Sequence, residues 1–186
     1  MIRRQTLNFF LGILMGISLV LISYVVFNYV QKHSFKEYSS AKEKFTMRYP
    51  ADWTLREDVE GAAVIFFTPL ENEFDIFKEN VNIIVQEVPE KLLDLEKYTD
   101  MAIRQMKAVF KENLIPLDSS KTYLAGLPAY KFVYLGKGPE AELKIMHIWA
   151  IKKNKAYQFT YTAISSKFDL YIDDVEKMIN SFKIQK

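Results

Sequence analysis

The residues best suited to chemistry are few and scattered. The densest group is Glu71-Asn72-Glu73-Phe74-Asp75, with Glu79 four positions further on. Such oxygen clusters attract hard cations, so Glu71, Glu73 and Asp75 are the candidate ligands for a calcium-like ion. The glycine and the closing bidentate Glu of an EF-hand loop are absent, and a solvated acidic loop is the expected state. The two histidines, His33 and His147, are too few and too differently placed for a triad or a multi-His metal centre. His147, beside Trp149, is expected to be a hydrogen-bonded core imidazole. Ser119-Ser120 and Ser165-Ser166 lack a nucleophile-elbow context and read as turn and cap. Gly136-Lys137-Gly138-Pro139 has no phosphate-loop pattern and reads as a hairpin turn. Cysteine is absent, which excludes disulfides, thiolate nucleophiles and Cys-based zinc or iron–sulfur sites. No acid, base and nucleophile assemble, so neither catalytic residues nor a cofactor are expected.

Charge narrows the partners further. Arg3 and Arg4 are the only charged residues before Lys32, which leaves 23 of the 25 basic residues against 23 acidic ones in the rest of the chain. A balanced domain lacks the positive field that nucleic-acid binding draws on, so no nucleic acid is expected. Lys152, Lys153 and Lys155 crowd one turn, a tip suited to an acidic partner or lipid headgroups, although a solvated turn is the default.

Leu7 to Val30 runs for 24 positions without a charge. As a helix it spans roughly 36 Å, enough to cross a hydrocarbon core of about 30 Å. It is longer than a signal-peptide core and has no small-x-small cleavage site, so an uncleaved anchor in membrane lipid is expected. Tyr24, Phe27 and Tyr29 sit towards its far end, where amphipathic rings favour the interface. Lysines flank the far side as well, so charge bias alone does not orient the span. Its start resembles a signal anchor, with the N-terminus cytoplasmic and the domain outside. Gly12 and Gly16 form a GxxxG, the spacing through which two spans can pack as a homodimer.

The elements follow from periodicity. Residues 1–31 read as the anchor, 32–43 as a short polar tether and 44–186 as the folded domain. Strands are expected at 45–49, 62–68, 80–88, 121–125, 128–136, 141–153 and 155–163. Helices are expected between Asp94 and Glu112, with Asp94 as cap, and from Ser166 to Asn180, with Ser166 and Asp169 as a capping box. In the strand 141–153, Leu143, Ile145, His147, Trp149 and Ile151 share one face, while Met146, Ile148 and Ala150 hold the middle of the other. A strand apolar on both faces needs a layer on each side. The prediction is an α+β fold, an α/β/α sandwich around a central antiparallel-rich sheet. Tyr49-Pro50 should end a strand, since proline removes a donor and extends the residue before it, and Trp53 should be buried as the chain turns over the core.

Phe45…Tyr49-Pro50…Trp53, then Asn80-Val81-Asn82-Ile83, Gly126-Leu127-Pro128-Ala129-Tyr130, a Lys-rich hairpin, Tyr157 and a closing Ser181-Phe182-Lys183-Ile184 together resemble the PsbP-like family. The resemblance covers about residues 44–185. It implies the same α/β/α sandwich and a non-catalytic accessory role, with an extracytoplasmic protein or membrane complex as partner. The family's photosystem II extrinsic subunit is a soluble lumenal protein, and an uncleaved anchor departs from that role. A small-ligand or calcium sensor is the alternative from another functional class.

Overall fold

The structure, a computed structural model, describes residues 20–26, 34–137 and 141–185. The chain divides into two units, one of residues 1–35 with 50–52 and the other of residues 36–49 with 53–186. In the first, residues 20–26 are helical, with Val20, Leu21, Ile22, Tyr24, Val25 and Val26 exposed. Among the described residues no helix is long and apolar enough to cross a membrane. Most of the expected span, including Leu7, Gly12, Gly16 and Val30, lies outside the described residues.

The second unit is built on a seven-stranded antiparallel sheet in the order β3–β4–β5–β9–β8–β7–β6. Its strands are β3 (Thr54–Val59), β4 (Ala62–Phe67), β5 (Asn80–Glu87), β6 (Leu114–Leu124), β7 (Leu127–Lys137), β8 (Glu142–Lys152) and β9 (Lys155–Ile164). A smaller sheet of β1 (Phe35–Ser40), β2 (Phe45–Pro50) and β10 (Lys183–Ile184) completes the strands. Helix α1 (Leu95–Phe110) and helix α2 (Phe168–Ser181) flank the large sheet.

Strand β8 shows why there is a layer on each face. Trp149 stands opposite Tyr130 on β7 and Gln158 on β9, so these three share a face. Over that face lies α1. Trp149 Nε1 donates to Thr99 Oγ1 at 2.9 Å, and the Tyr98 hydroxyl accepts from Gln86 Nε2 and Gln158 Nε2 at 2.7 and 2.6 Å. Tyr161 points to the opposite face, where its ring packs on Phe168 of α2 at 4.6 Å and its hydroxyl donates to the Phe168 carbonyl. The expected sandwich is present, and the three-stranded sheet shares the α2 side: Phe45 of β2 stacks on Phe182 at 5.1 Å.

Local signals explain most boundaries. Asp94 caps α1 by accepting from Lys97 N at 3.0 Å. Ala125 and Gly126 have φ of 53° and 74°, the two positive values a tight two-residue hairpin turn demands, and the glycine meets the second without strain. Pro50 closes β2. Tyr49 packs on Phe66 at 4.8 Å, and Trp53, 4% exposed, meets Tyr171 edge-on at 6.0 Å. Three expectations need correction. Ser119-Ser120 is not a turn, since both residues lie within β6 and pair with Phe132 and Lys131. Residues 32–43 are not a plain tether, because β1 occupies Phe35–Ser40 and buries Tyr38 against Phe45 and Phe66. Ser166 does not cap α2, for it lies in a 3-10 turn at Ser165–Lys167 and the helix starts at Phe168 without a side-chain cap.

The strand directions define two ends of the sheet. Thr54 pairs with Phe67, and Phe67 with Asn80, at one end; Leu143 and Gly136 pair there too, beside Ile164 and Leu114. This is the proximal end. The tight turn joining Lys152 to Lys155 and the Ala125-Gly126 turn lie at the distal end. Lys44 is distal as well, since its carbonyl accepts from Gln185 N and the Gln185 carbonyl accepts from Lys152. Strand β2 therefore runs distal to proximal, and its hairpin partner β1 starts proximally.

Candidate functional site

The acidic loop between β4 and β5 is tied to the start of α2 by one cation. Lys167 Nζ lies 3.0 Å from Asp75 Oδ1 and 3.3 Å from Glu71 Oε1. Tyr171 OH donates to the same Glu71 oxygen at 3.1 Å. The loop also braces itself. Asp75 accepts from the backbone N–H groups of Glu71 and Phe77, and Asn72 Oδ1 accepts from Phe74 N at 2.9 Å. Glu79 supplies the third carboxylate: oxygens of Glu71, Asp75 and Glu79 all lie within 4.8 Å of one another. Glu73 does not join them. It sits on the exposed outer arc of the loop, and Glu79 at the loop's end takes the place the sequence assigned to it.

Each charge in the cluster is shaped by its surroundings. The hydrogen bond from Lys167 holds Asp75 below the usual carboxylate range. Burial works against the charge of Lys167, but its hydrogen bonds to Asp75 and Glu71 outweigh that and raise its pKa. Glu79 is fully buried and burial raises its pKa. Its Oε2 is 3.5 Å from Thr68 Oγ1, while Oε1 has no hydrogen-bond partner. Two of the three carboxylates, Glu71 and Asp75, are thus paired with the Lys167 ammonium, and Glu79 lies close behind them. Sequence reasoning saw Glu79 beside the acidic run but ranked Glu73 as the ligand in its place, and it missed Lys167, because a lysine far along the chain carries no local signal of meeting the loop.

His147 is held within the sheet. Its Nδ1 is 2.9 Å from Thr160 Oγ1 and its Nε2 is 3.2 Å from Tyr134 OH, and the Tyr134 ring stacks on it at 5.7 Å. The residue keeps some exposed surface, yet burial of the ring lowers its pKa to about 4. Both nitrogens are hydrogen-bonded, as the sequence predicted, and a pKa near 4 leaves the imidazole neutral at neutral pH.

The lysine tip is also mostly structural. Lys152 Nζ donates to the carbonyls of Ile184 and Gln185 at 3.1 Å each, and Lys155 pairs with Glu43 at 3.1 Å. Lys153 stays exposed. A groove of about 440 Å³ opens between the small sheet and the second half of α2, lined by Glu37, Thr46, Arg48, Lys177, Asn180 and Lys183. It is open, and its Ser181 hydroxyl is engaged with backbone, accepting from Arg48 N and donating to the Met178 carbonyl at 2.8 Å each.

The sequence profile of the PsbP family matches residues 33–184; the chain belongs to that family. No curated protein matches it in sequence. Among solved structures it is similar to the cyanobacterial PsbP, CyanoP, of Synechocystis, at 20% identity and a TM-score of 0.62, over 81% of this chain and 92% of that one. It is also similar to LpqN of Mycobacterium tuberculosis, described as involved in cell envelope biogenesis, at 13% identity and a TM-score of 0.61, over 85% and 95% of the two chains. At these identities the likeness is one of fold.

Proposed function

We propose that this chain is a membrane-tethered, non-catalytic PsbP-family module that holds an extracytoplasmic protein or membrane complex. The observation that carries the reading is that Glu71, Asp75 and His147, three of the groups the sequence offered for chemistry, are engaged within the protein. Lys167 closes the acidic cluster, and the core occupies both nitrogens of His147. General acid–base or nucleophilic catalysis requires such a group facing a reacting atom. The open groove beside α2 is instead suited to a polar partner surface.

The tether supports the membrane part. Residues 31–35 join the expected span to the unit that begins at Lys36, and five extended residues reach at most about 17 Å. A domain held that closely works on partners at the bilayer surface.

Ion sensing is the second reading, and the unpartnered Oε1 of Glu79 favours it. Against it stands Lys167, whose ammonium already pairs with Glu71 and Asp75. The test is affinity capture of the full chain from detergent-solubilised membranes of its own source, with and without calcium. The module reading expects a second polypeptide in fixed ratio in both samples. The chain alone in both would overturn it, and a partner retained only with calcium would favour the sensor.

A further inference from the structure

The proximal end of the domain carries the exposed apolar side chains. Phe74 and Ile76 on the acidic loop are 82% and 74% exposed, and Leu70 precedes them on the same loop. Leu170 joins them from the first turn of α2, which Lys167 and Tyr171 tie to that loop. At the opposite corner of the same end, Val109 lies in the last turn of α1 and Ile115 is the second residue of β6, both exposed. Of the large apolar side chains exposed on this unit, only Tyr123 lies at the distal end among the described residues. Water-facing apolar groups gathered so one-sidedly mark a contact surface.

Position in the chain identifies what covers it. The unit begins at Lys36, at the proximal start of β1, so the chain enters it at this end. We infer that the 70–76 loop and Leu170, with Val109 and Ile115 as a second point of support, seat the proximal end on the surface of the bilayer that anchors the chain. This rests on the tethered reading above. Phenylalanine and leucine on a projecting loop are suited to the headgroup–acyl boundary, where binding scales with buried apolar area. The loop's carboxylates do not forbid this: Lys167 is shared by Glu71 and Asp75, and with Lys78 it offsets two of the three charges of Glu71, Glu73 and Asp75, leaving a small negative excess that disfavours anionic lipid. Contact is therefore with zwitterionic lipid and is insensitive to salt. It leaves the groove beside α2 and the lysine tip open to a protein partner.

The absence of cysteine permits a direct test with single cysteines in the full chain. Phe74→Cys, Tyr123→Cys and Ser18→Cys variants, the last within the expected span, are labelled with an environment-sensitive fluorophore. Each is then reconstituted into phosphatidylcholine vesicles with or without nitroxide-bearing lipid. The expected result is quenching at 74 and 18 severalfold stronger than at 123, unchanged by salt. Position 74 no more quenched than 123, with 18 strongly quenched, overturns the seating while the anchor stands. No quenching at either 18 or 74 overturns both. Quenching at 74 without 18 supports a lipid-binding loop and overturns the anchor. A blue-shifted label at 74 that nitroxide lipid does not quench means a protein surface covers the loop, which overturns the proposal. Both substituted side chains on the domain are exposed, and a Phe74→Ser, Ile76→Ser variant with an unchanged melting temperature should lose the loop's lipid contact, read from a label at Leu70→Cys.

Discussion

Lys167 and Asp75 meet at 3.0 Å, and the Asp75 side chain is only 3% exposed. That pairing fastens the loop between β4 and β5 to the start of α2, with Glu71 as the second carboxylate on the same ammonium. It decides how the acidic cluster behaves: a built-in cation takes the place that a free one would need. The charge-assisted bonds are sheltered, so they hold the loop better than an exposed surface pair would.

Replacing that lysine should therefore expose a latent ion site. In the unaltered protein, added calcium should leave the melting temperature unchanged. Lys167→Met should lower it by a few degrees, and calcium should then raise it, because a ligand that binds only the native state must stabilise it. A calcium-dependent rise in the unaltered protein, abolished by changing Glu71, Asp75 and Glu79 to alanine, would favour the ion-sensing reading instead.

Trp53→Ala should destabilise the domain by about 3–5 kcal/mol, the usual cost of deleting a large buried aromatic. Trp53 is 4% exposed and its ring lies edge-on to Tyr171 at 6.0 Å, so the cavity would open against α2. Equilibrium urea unfolding measures this directly. A loss below about 1 kcal/mol would assign Trp53 to a contact surface.

The pH dependence has a definite sign. His147 has a folded pKa near 4, below the ordinary value of about 6.5, so the unfolded chain binds the extra proton between those values. Its contribution is fully present above about pH 6.5 and is lost as pH falls towards 4, with a slope of at most about 1.4 kcal/mol per pH unit. Glu79, raised by burial, acts in the opposite sense, giving stability that fades as pH rises through its folded pKa. His147→Gln should lower stability at pH 7 and flatten the slope between pH 6.5 and 4. An identical slope in both proteins would mean that the imidazole does not titrate as its surroundings require.

Central strands were legible from sequence and edge strands were not. β8 and β9 are apolar on both faces and buried in the middle of the sheet, which no loop or exposed helix would need. β3, Thr54-Leu55-Arg56-Glu57-Asp58-Val59, is an edge strand exposed along most of its length, so it has no apolar alternation to read. The first half of β6, also at an edge, hid behind Pro116 and the register shift after it. β1 hid within the polar run 32–43 because Tyr38 is its one large buried side chain. Helix α1 was visible from its cap and stripe. The acidic site was half visible: Glu71 and Asp75 are neighbours in sequence, whereas Lys167 and Tyr171 reach them only through the fold.

The same hidden strand yields a truncation test. Removing residues 1–31 should leave a domain that melts cooperatively, because β1 remains whole. Removing residues 1–43 deletes β1 and with it the packing of Tyr38 on Phe45 and Phe66 at 5.8 and 5.5 Å. That shorter chain should lose several kcal/mol, on the order of the 3–5 kcal/mol that one buried aromatic represents. Calorimetry on the two chains decides it; equal melting temperatures would make residues 32–43 a tether after all.

Protease treatment of intact spheroplasts carrying the full chain with a C-terminal epitope tests the tethered, outward-facing module most directly. The epitope should remain with the membrane fraction before treatment and be removed by protease without permeabilisation. An epitope that survives until the membrane is opened, or that is found free of membrane from the start, would contradict the account.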